Sequence, residues 1–242
     1  MAKLVQKSGY IKSGKASGYM RYIATREGVE KLAGNGAVTK GQRELIQKLL
    51  TDFPDAEELF EYEDYCKTPT LGTASAFISM ALDANLYKID SESGYMQYIA
   101  TRPHVQKHGS HGLFSSATAV DLTSAMSELK SHEGNVWTII YSLRREDAAR
   151  LEYDNADAWR ALLMENAPTL AKSMKISLEN FHWYAAFHDE GHHPHIHMMV
   201  WSDDPKEGFL TKDGIAAMRS KLTNAIFRDE MQQIYERKDV AY

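Results

Sequence analysis

Two short segments with regularly placed histidines constrain the fold of this chain more than any other feature. In residues 181–188 the histidines stand at even positions, and in residues 195–202 they stand at odd positions. Because side chains alternate between the two faces of a strand, each segment predicts a strand with its histidines on one face and an apolar opposite face. The six residues between them include Gly191 and Pro194, which predicts a hairpin of two antiparallel strands.

The predicted hairpin brings three histidines together. If the segments pair through residues 189–194, His188 lies close to His195 and His197. Three convergent imidazoles are a suitable ligand set for a divalent metal. A helical metalloprotease motif is excluded, because it requires glutamate directly after its first histidine, where this chain has Asp189. A solvated histidine-rich loop that captures metal adventitiously is the alternative, and the alternating pattern favours a built site.

The remaining periodicities predict an α+β protein in a single domain over residues 1–242, since no linker or low-complexity tract interrupts the chain. Strand patterns recur in residues 4–11, 85–90 and 136–143. A capping box at Thr39 and Gln42 marks the start of one helix. The predicted helices cover residues 17–33, 39–50, 55–65, 73–84, 93–102, 118–131, 145–153, 155–174 and 211–237.

One segment of ten residues occurs twice. Residues 17–26 recur as residues 93–102, 76 positions later, with nine of ten residues identical. In each copy two tyrosines, an isoleucine and an arginine stand at helix positions i, i+3, i+4 and i+7, which places all four on one helix face. A single pair of copies is too few for a repeat protein, so the pattern predicts two related helices with similar structural roles.

Composition places the chain among soluble globular proteins. Its 242 residues are 43% hydrophobic and 25% charged, and no apolar run reaches the 18 residues that a membrane-spanning helix needs. The first residues lack the apolar stretch of a secretory signal, and the single cysteine, Cys66, excludes an intrachain disulfide. These features predict a soluble, cytoplasmic protein.

The net charge of −5 argues weakly against a nucleic-acid partner, but it hides a gradient along the chain. Residues 1–50 hold 10 Lys/Arg against 3 Asp/Glu, a local +7, whereas residues 51–90 hold 2 against 9, a local −7. A basic N-terminal fifth is suited to contact phosphate while the rest keeps the molecule soluble. Solvated helix faces explain the same charges equally well, so charge alone leaves both interpretations open.

The histidines also belong to a longer pattern, His188-x-Glu190-x-x-x-Pro194-His195-x-His197-x-x-Val200. It resembles the third motif of conjugative relaxases, members of the HUH (histidine, hydrophobe, histidine) endonuclease superfamily, and most of all that of MobL-type relaxases from mobile elements of Gram-positive bacteria. The two Tyr-x-x-Tyr-Ile-Ala-Thr-Arg segments and the runs 135–138 and 144–147 are similar to that family too. The resemblance covers nearly the whole chain. Within this motif there is one departure, since the family more often has aspartate in place of Glu190.

The resemblance implies an HUH-type fold and a nicking activity. A central antiparallel sheet would carry the metal site, with helices packed on one face and the tyrosine helix over the site. A tyrosine would attack single-stranded DNA at an origin of transfer and leave a 5′-phosphotyrosine link and a free 3′-OH. His188, His195 and His197 would hold the metal, and Glu190 would orient an imidazole or accept a proton. Three imidazoles suit Mn²⁺ better than Mg²⁺, whose use would depend on its cellular abundance.

The resemblance also assigns the nucleophile. The family's tyrosine lies near the N-terminus, and Tyr22, followed by Ile23 and Arg26, has that context. Tyr22 lies in the segment of local charge +7, where phosphate would be attracted. The phenol pKa of about 10 makes an unaided tyrosine a weak nucleophile at neutral pH, which is why the metal is needed. The remaining tyrosines of the two copies are also candidates: Tyr19, Tyr95 and Tyr98.

Four further side chains are candidates to contact DNA. Arg26 and Arg21 are placed to contact phosphate, with surface salt bridges as the alternative. Trp201 and Tyr184 fall on the predicted metal face, where they are candidates to stack on unpaired bases.

The implied partners are single-stranded DNA at an origin of transfer, accessory relaxosome proteins and a coupling protein. Three alternatives remain at this stage: a rolling-circle replication initiator of the same superfamily, a non-catalytic metal-stabilised DNA-binding protein, and a hydrolytic nuclease. Removal of Tyr22 separates a transesterase from a binder, because a transesterase loses its covalent adduct whereas a binder keeps its function. A hydrolytic nuclease would turn over many substrates, whereas a relaxase remains attached to its product.

Overall fold

The computed structural model describes residues 3–10, 36–85, 92–101, 105–107, 110–117 and 119–228. The strands are β1 (Val5–Tyr10), β2 (Leu113–Phe114), β3 (Trp137–Ser142), β4 (Phe181–His188) and β5 (His195–Ser202). The α-helices are α1 (Lys40–Asp52), α2 (Phe60–Lys67), α3 (Leu71–Asp83), α4 (Glu92–Thr101), α5 (Leu122–Ser131), α6 (Arg145–Arg150), α7 (Ala156–Ser173) and α8 (Lys212–Ile226). Short 3₁₀ turns cover Pro54–Glu58 and Leu178–Asn180.

The described strands form an antiparallel sheet in the order β1-β3-β5-β4-β2. β4 and β5 pair along their whole length, from Phe181 opposite Ser202 to His188 opposite His195. The predicted hairpin is therefore confirmed, with the predicted bounds. Because β5 lies at the centre of the sheet, between β3 and β4, its backbone is hydrogen-bonded on both sides and its histidines are held rigidly.

One face of the sheet is apolar, as the alternation predicts. The side chains that alternate with the histidines, among them Phe187, Ile196 and Met198, pack in one cluster with α7 and α8. Trp159 of α7 and Leu222 of α8 are fully buried in it. Burial of this face against helices fixes which way each strand's side chains point, because a slip of one residue would expose the whole apolar set.

The face that carries the histidines is covered by helices as well. α1 and α3 pack over β3, where Ile140 shares a cluster with Leu49 and Phe77. α4 and α5 pack over the hairpin, where Ala186 belongs to their cluster. His197 lies in register between Ile140 and Ala186, so the two groups of helices flank it.

The predicted fold class, an α+β protein around a central antiparallel sheet, is confirmed. The expectation placed helices on one face and the tyrosine helix over the site. In the described residues, helices lie on both faces, because both alternating sets of the hairpin, including its buried histidines, need cover from solvent.

Local capping signals set two of the helix starts. Thr39 and Gln42 form the predicted capping box, in which each side chain bonds the other residue's backbone N–H at 3.0–3.1 Å. Asp121 caps α5 by accepting from Ser124 N at 2.7 Å. α5 therefore begins at Leu122 rather than at the predicted residue 118.

Some predicted elements lie outside the described residues. These are the helix over 17–33, all but the first residue of the strand over 85–90, and the part of the last helix beyond residue 228. Among the residues that are described, no helix combines the length and the apolar character needed to cross a membrane.

Candidate metal centre

The three predicted histidines converge at one end of the hairpin. His188 and His195 face each other across the strands, and His197 is two residues further along β5 on the same face. The ring centroids lie 4.6 Å (His188–His197), 5.0 Å (His195–His197) and 5.2 Å (His188–His195) apart. One nitrogen from each ring lies within 4.8 Å of the others, and all three residues are at most 1% exposed. The predicted cluster is confirmed.

Backbone carbonyls orient two of the three imidazoles. His188 Nε2 lies 2.8 Å from the carbonyl oxygen of Ile99, and His195 Nδ1 lies 3.0 Å from that of His193. Since a carbonyl oxygen only accepts, these nitrogens carry the protons. The lone pairs are therefore on Nδ1 of His188 and Nε2 of His195, as a metal ligand requires.

This arrangement fits a divalent metal ion. Buried imidazoles are disfavoured as cations, so all three are suited to act as neutral donors. Closely packed neutral nitrogen donors suit transition metals, which accept imidazole ligands more readily than Mg²⁺ does, since Mg²⁺ prefers oxygen. A three-histidine set also leaves coordination positions for substrate oxygens.

An arginine clamps the loop that joins the two strands. The Arg145 guanidinium donates to Asp189 Oδ1 at 2.6 Å, to the Glu190 carbonyl at 2.5 Å and to the Gly191 carbonyl at 2.9 Å. The bonds to Glu190 and Gly191 use backbone atoms, so the arginine fixes the path of the loop. Glu190 lies in this loop and is half-buried. Its assigned role, to orient an imidazole or accept a proton, stays a prediction.

Helix α2 contributes a second set of side chains to this end of the sheet. Phe60 stacks on His193 at 5.2 Å between ring centroids, with 21° between the ring planes. Asp64 Oδ2 lies 2.8 Å from His193 Nε2, and Arg144 donates to Asp64 Oδ1 at 3.2 Å. The Arg144 guanidinium also lies 4.7 Å over the Phe60 ring. Burial raises the pKa of Asp64, but the bonds from His193 and Arg144 outweigh it and hold that pKa below its ordinary value.

Sequence reasoning missed this contribution of α2. Residues 51–90 stood out for their acidic charge, and the run 144–147 was noticed only as part of a family resemblance. Neither signal specifies that Asp64 bonds both Arg144 and His193, because these contacts join residues 80 and 129 positions apart.

A buried carboxyl lies close by. Glu61 is 7% exposed, and burial raises its pKa to about 8, with smaller contributions from the charges of Asp64, Glu190 and Asp83. Glu61 is therefore largely protonated at neutral pH, unlike Asp64 three residues later on α2. No sequence signal marked Glu61, since burial depends on how α2 packs.

The second copy of the repeat lies at the metal centre. This copy forms most of α4. Met96 and Ile99 of α4 are fully buried against the hairpin. The Ile99 carbonyl is the oxygen that bonds His188 Nε2. The helix predicted for this copy is confirmed. Tyr95 and Tyr98 belong to α4, but their side chains lie outside the described residues.

The first copy, with the remaining candidates, lies outside the described residues. These candidates are Tyr19, Arg21, Tyr22 and Arg26. Their roles stay predictions. The second copy of the same sequence forms most of α4, where the Ile99 carbonyl bonds His188.

Trp201 and Tyr184 lie on the histidine face, further along the hairpin than the three clustered histidines. Trp201 is four residues from His197 along β5, about 13 Å, and Tyr184 lies opposite Met199, two residues from His197. Its indole is 3% exposed and stacks with Tyr184 and His182 at 5.6 and 5.9 Å between ring centroids. Protein rings thus occupy the indole faces, and in this conformation Trp201 packs in the core beside α5 instead of offering a face to a base. Tyr184 is half-buried and donates to Glu128 at 3.0 Å.

The fold and the site together define a class of protein. An antiparallel sheet with a buried three-histidine cluster, two of whose members form His-x-His on the central strand, is the arrangement of HUH-type relaxases. The chain belongs to the MobL relaxase family, since the family model described as MobL relaxases matches residues 1–241. No curated protein and no solved structure gave a significant match. The predicted resemblance is confirmed, and membership supports a relaxase function with single-stranded DNA as its ligand.

Proposed function

We propose that this chain is a conjugative relaxase that nicks one DNA strand at an origin of transfer through a covalent tyrosine intermediate. Membership of the MobL relaxase family supports the class of reaction. The observation that carries the proposal is the buried cluster of His188, His195 and His197, in which the tautomers of His188 and His195 favour metal binding. Single-stranded DNA is the proposed substrate, and accessory relaxosome proteins and a coupling protein are the proposed partners.

The covalent step is a transesterification. The Tyr22 oxygen attacks the scissile phosphorus, a bond forms between them, and the bond from phosphorus to the 3′ oxygen breaks. The products are a 5′-phosphotyrosine link and a free 3′-OH, and Glu190, in the loop between the ligand strands, accepts the phenolic proton and passes it on to the departing 3′ oxygen. No oxidant or cofactor is consumed, because one phosphodiester replaces another.

The proposed metal ligands are the three histidines, and the metal is Mn²⁺ or Mg²⁺. A divalent cation held there supplies a Lewis acid for the scissile phosphate. The protein's own contribution is to fix its ligands, through the Ile99 and His193 carbonyls and the rigid pairing of β4 with β5. The proposed phosphate contacts are Arg21 and Arg26. Tyr184 and Trp201 are proposed to stack on bases, which requires their two rings to separate from each other.

A cleavage assay tests the function. Single-stranded oligonucleotides that tile the DNA around the gene are incubated with the protein and Mn²⁺ or Mg²⁺, and products are separated on a denaturing gel. We expect cleavage at one site, lost with EDTA and lost when His197→Ala removes a ligand. Met199→Ala, two residues along the same strand face, is the matched control and should retain cleavage if folded. Cleavage that survives both EDTA and His197→Ala would overturn the metal-dependent mechanism.

A further inference from the structure

A chain of contacts leads from the surface of α2 to the metal centre. Arg144 bonds Asp64 at 3.2 Å, Asp64 bonds His193 at 2.8 Å, and the His193 carbonyl accepts from His195 Nδ1 at 3.0 Å. His193 is 5% exposed, so its ring is enclosed by protein. Its Nε2 carries the proton, because the partner is a carboxylate held ionised by Arg144.

We propose that Asp64 and His193 are positioning residues for the metal ligand His195. The inference rests on the proposed function, in that His195 must bind a metal. The His193 side chain bonds Asp64 of α2, and the His193 carbonyl accepts from His195 Nδ1. The orientation of His193 is therefore coupled to both bonds. Asp64 therefore acts on His195 through a peptide group and contacts neither metal nor substrate.

The geometry explains why this anchor matters for one ligand in particular. The neighbouring peptides are tied to the end of β3 and the start of α6, since the Pro194 carbonyl accepts from Leu143 N at 3.2 Å and the His192 carbonyl from Arg145 N at 2.9 Å. The His193 ring supplies the remaining anchor, fixed by Asp64 and by the stack on Phe60. Loss of the bond between His193 and Asp64 lets the peptide group after His193 rotate. Its carbonyl oxygen then no longer accepts from His195 Nδ1, and the proton is no longer held on that nitrogen.

Cobalt binding tests the proposal without reference to DNA cleavage. Co²⁺ is titrated into the whole chain, and its visible absorption reports both affinity and ligand geometry. Asp64→Ala should raise the dissociation constant about 10- to 100-fold and alter the spectrum. Asp64→Asn keeps an oxygen that accepts from His193 and should restore most of the affinity. His193→Phe, which retains the stack on Phe60 and loses the bond to Asp64, should resemble Asp64→Ala.

Glu63→Ala is the matched control. Glu63 lies on the same helix and carries the same charge, and its side chain bonds Arg144 at 3.1 Å and Lys67 at 2.7 Å rather than His193. It should leave the Co²⁺ spectrum unchanged. Native affinity and spectrum in both Asp64→Ala and His193→Phe would overturn the inference while leaving the metal centre intact. Absence of Co²⁺ binding by the native chain would instead overturn the proposed metal centre, and the inference with it.

Discussion

At the scale of single residues, the chemistry of the centre depends on which nitrogen of each imidazole carries its proton. Two backbone carbonyls, of Ile99 and His193, set this for His188 and His195. Main-chain acceptors do not titrate, so they favour the same tautomer whenever the imidazole is neutral. The metal ligands are thus prepared by the fold itself.

Glu61 gives a prediction about pH. Its pKa is about 8 in the folded protein against an ordinary 4.5, so the folded state binds the extra proton between these values. Stability from this group is therefore fully present below pH 4.5 and is lost as pH rises through 8. Glu61→Gln, which cannot ionise, should be more stable than the native protein at pH 8 by a few kcal/mol and should lose this pH dependence.

The measurement is urea unfolding at pH 5 and pH 8 with EDTA present. Glu63→Gln, at a half-exposed position on the same helix, is the control and should follow the native curve closely. An equal difference between Glu61→Gln and native protein at both pH values would contradict the burial of an ionisable Glu61.

Trp201 gives a prediction that separates packing from DNA contact. Its buried indole lies in the cluster under α5, so Trp201→Ala should lower the free energy of unfolding by about 3–5 kcal/mol, as for other buried large aromatics. Tyr184→Phe, which loses only the bond to Glu128, should cost about 1 kcal/mol. Urea unfolding measures both, and an unchanged stability of Trp201→Ala with weaker binding of single-stranded DNA would support the base-stacking role over the packing role.

At the scale of elements, the hairpin could be predicted from the sequence, whereas the helices around the site could not. Alternation is a local signal, so residues 181–202 defined both strands, their faces and the three ligands. The anchors of those ligands come from α2, α4 and the start of α6, and which helix meets which loop depends on tertiary packing between distant segments. The burial of Trp201 escaped prediction for the same reason, since α5 covers it.

A carboxylate ties the end of β5 to the 3₁₀ turn before β4, at the far end of the hairpin. Glu207 accepts from Ser177, from Ser202 at the end of β5 and from Asn180 before β4. These bonds lower its pKa to about 2 from an ordinary 4.5. Stability from Glu207 is therefore present above pH 4.5 and is lost as pH falls through 2.

Glu207→Gln should accordingly be less stable than the native protein at neutral pH, with a difference that shrinks as pH falls from 4.5 to 2. Thermal unfolding followed by circular dichroism across that range measures it. Glu179→Gln, in the neighbouring 3₁₀ turn, is the control. A difference that stays constant down to pH 2 would contradict the ionised network.

At the scale of the whole molecule, the metal centre lies where two groups of helices meet on one face of the sheet. The free energy of unfolding therefore depends on the metal concentration, because an ion that binds only the folded chain stabilises it. Mn²⁺ at 100 times its dissociation constant should add about 2.7 kcal/mol, which raises the unfolding temperature by roughly 5–10 °C for a chain of this length. Scanning calorimetry with Mn²⁺ or EDTA tests this. His197→Ala should lose the shift, and a shift of equal size in that variant would contradict binding at the triad.

The covalent link to tyrosine is the central claim, and peptide mapping tests it most directly. The protein is incubated with Mn²⁺ and the oligonucleotide that it cleaves, then digested, and the peptide that carries nucleotide is identified by mass spectrometry. Four variants, Tyr19→Phe, Tyr22→Phe, Tyr95→Phe and Tyr98→Phe, are compared. We predict an adduct on Tyr22 that disappears in Tyr22→Phe alone and in EDTA. Cleavage that leaves no tyrosine adduct would contradict the transesterase mechanism, and an adduct on another of the four would contradict the assignment of Tyr22.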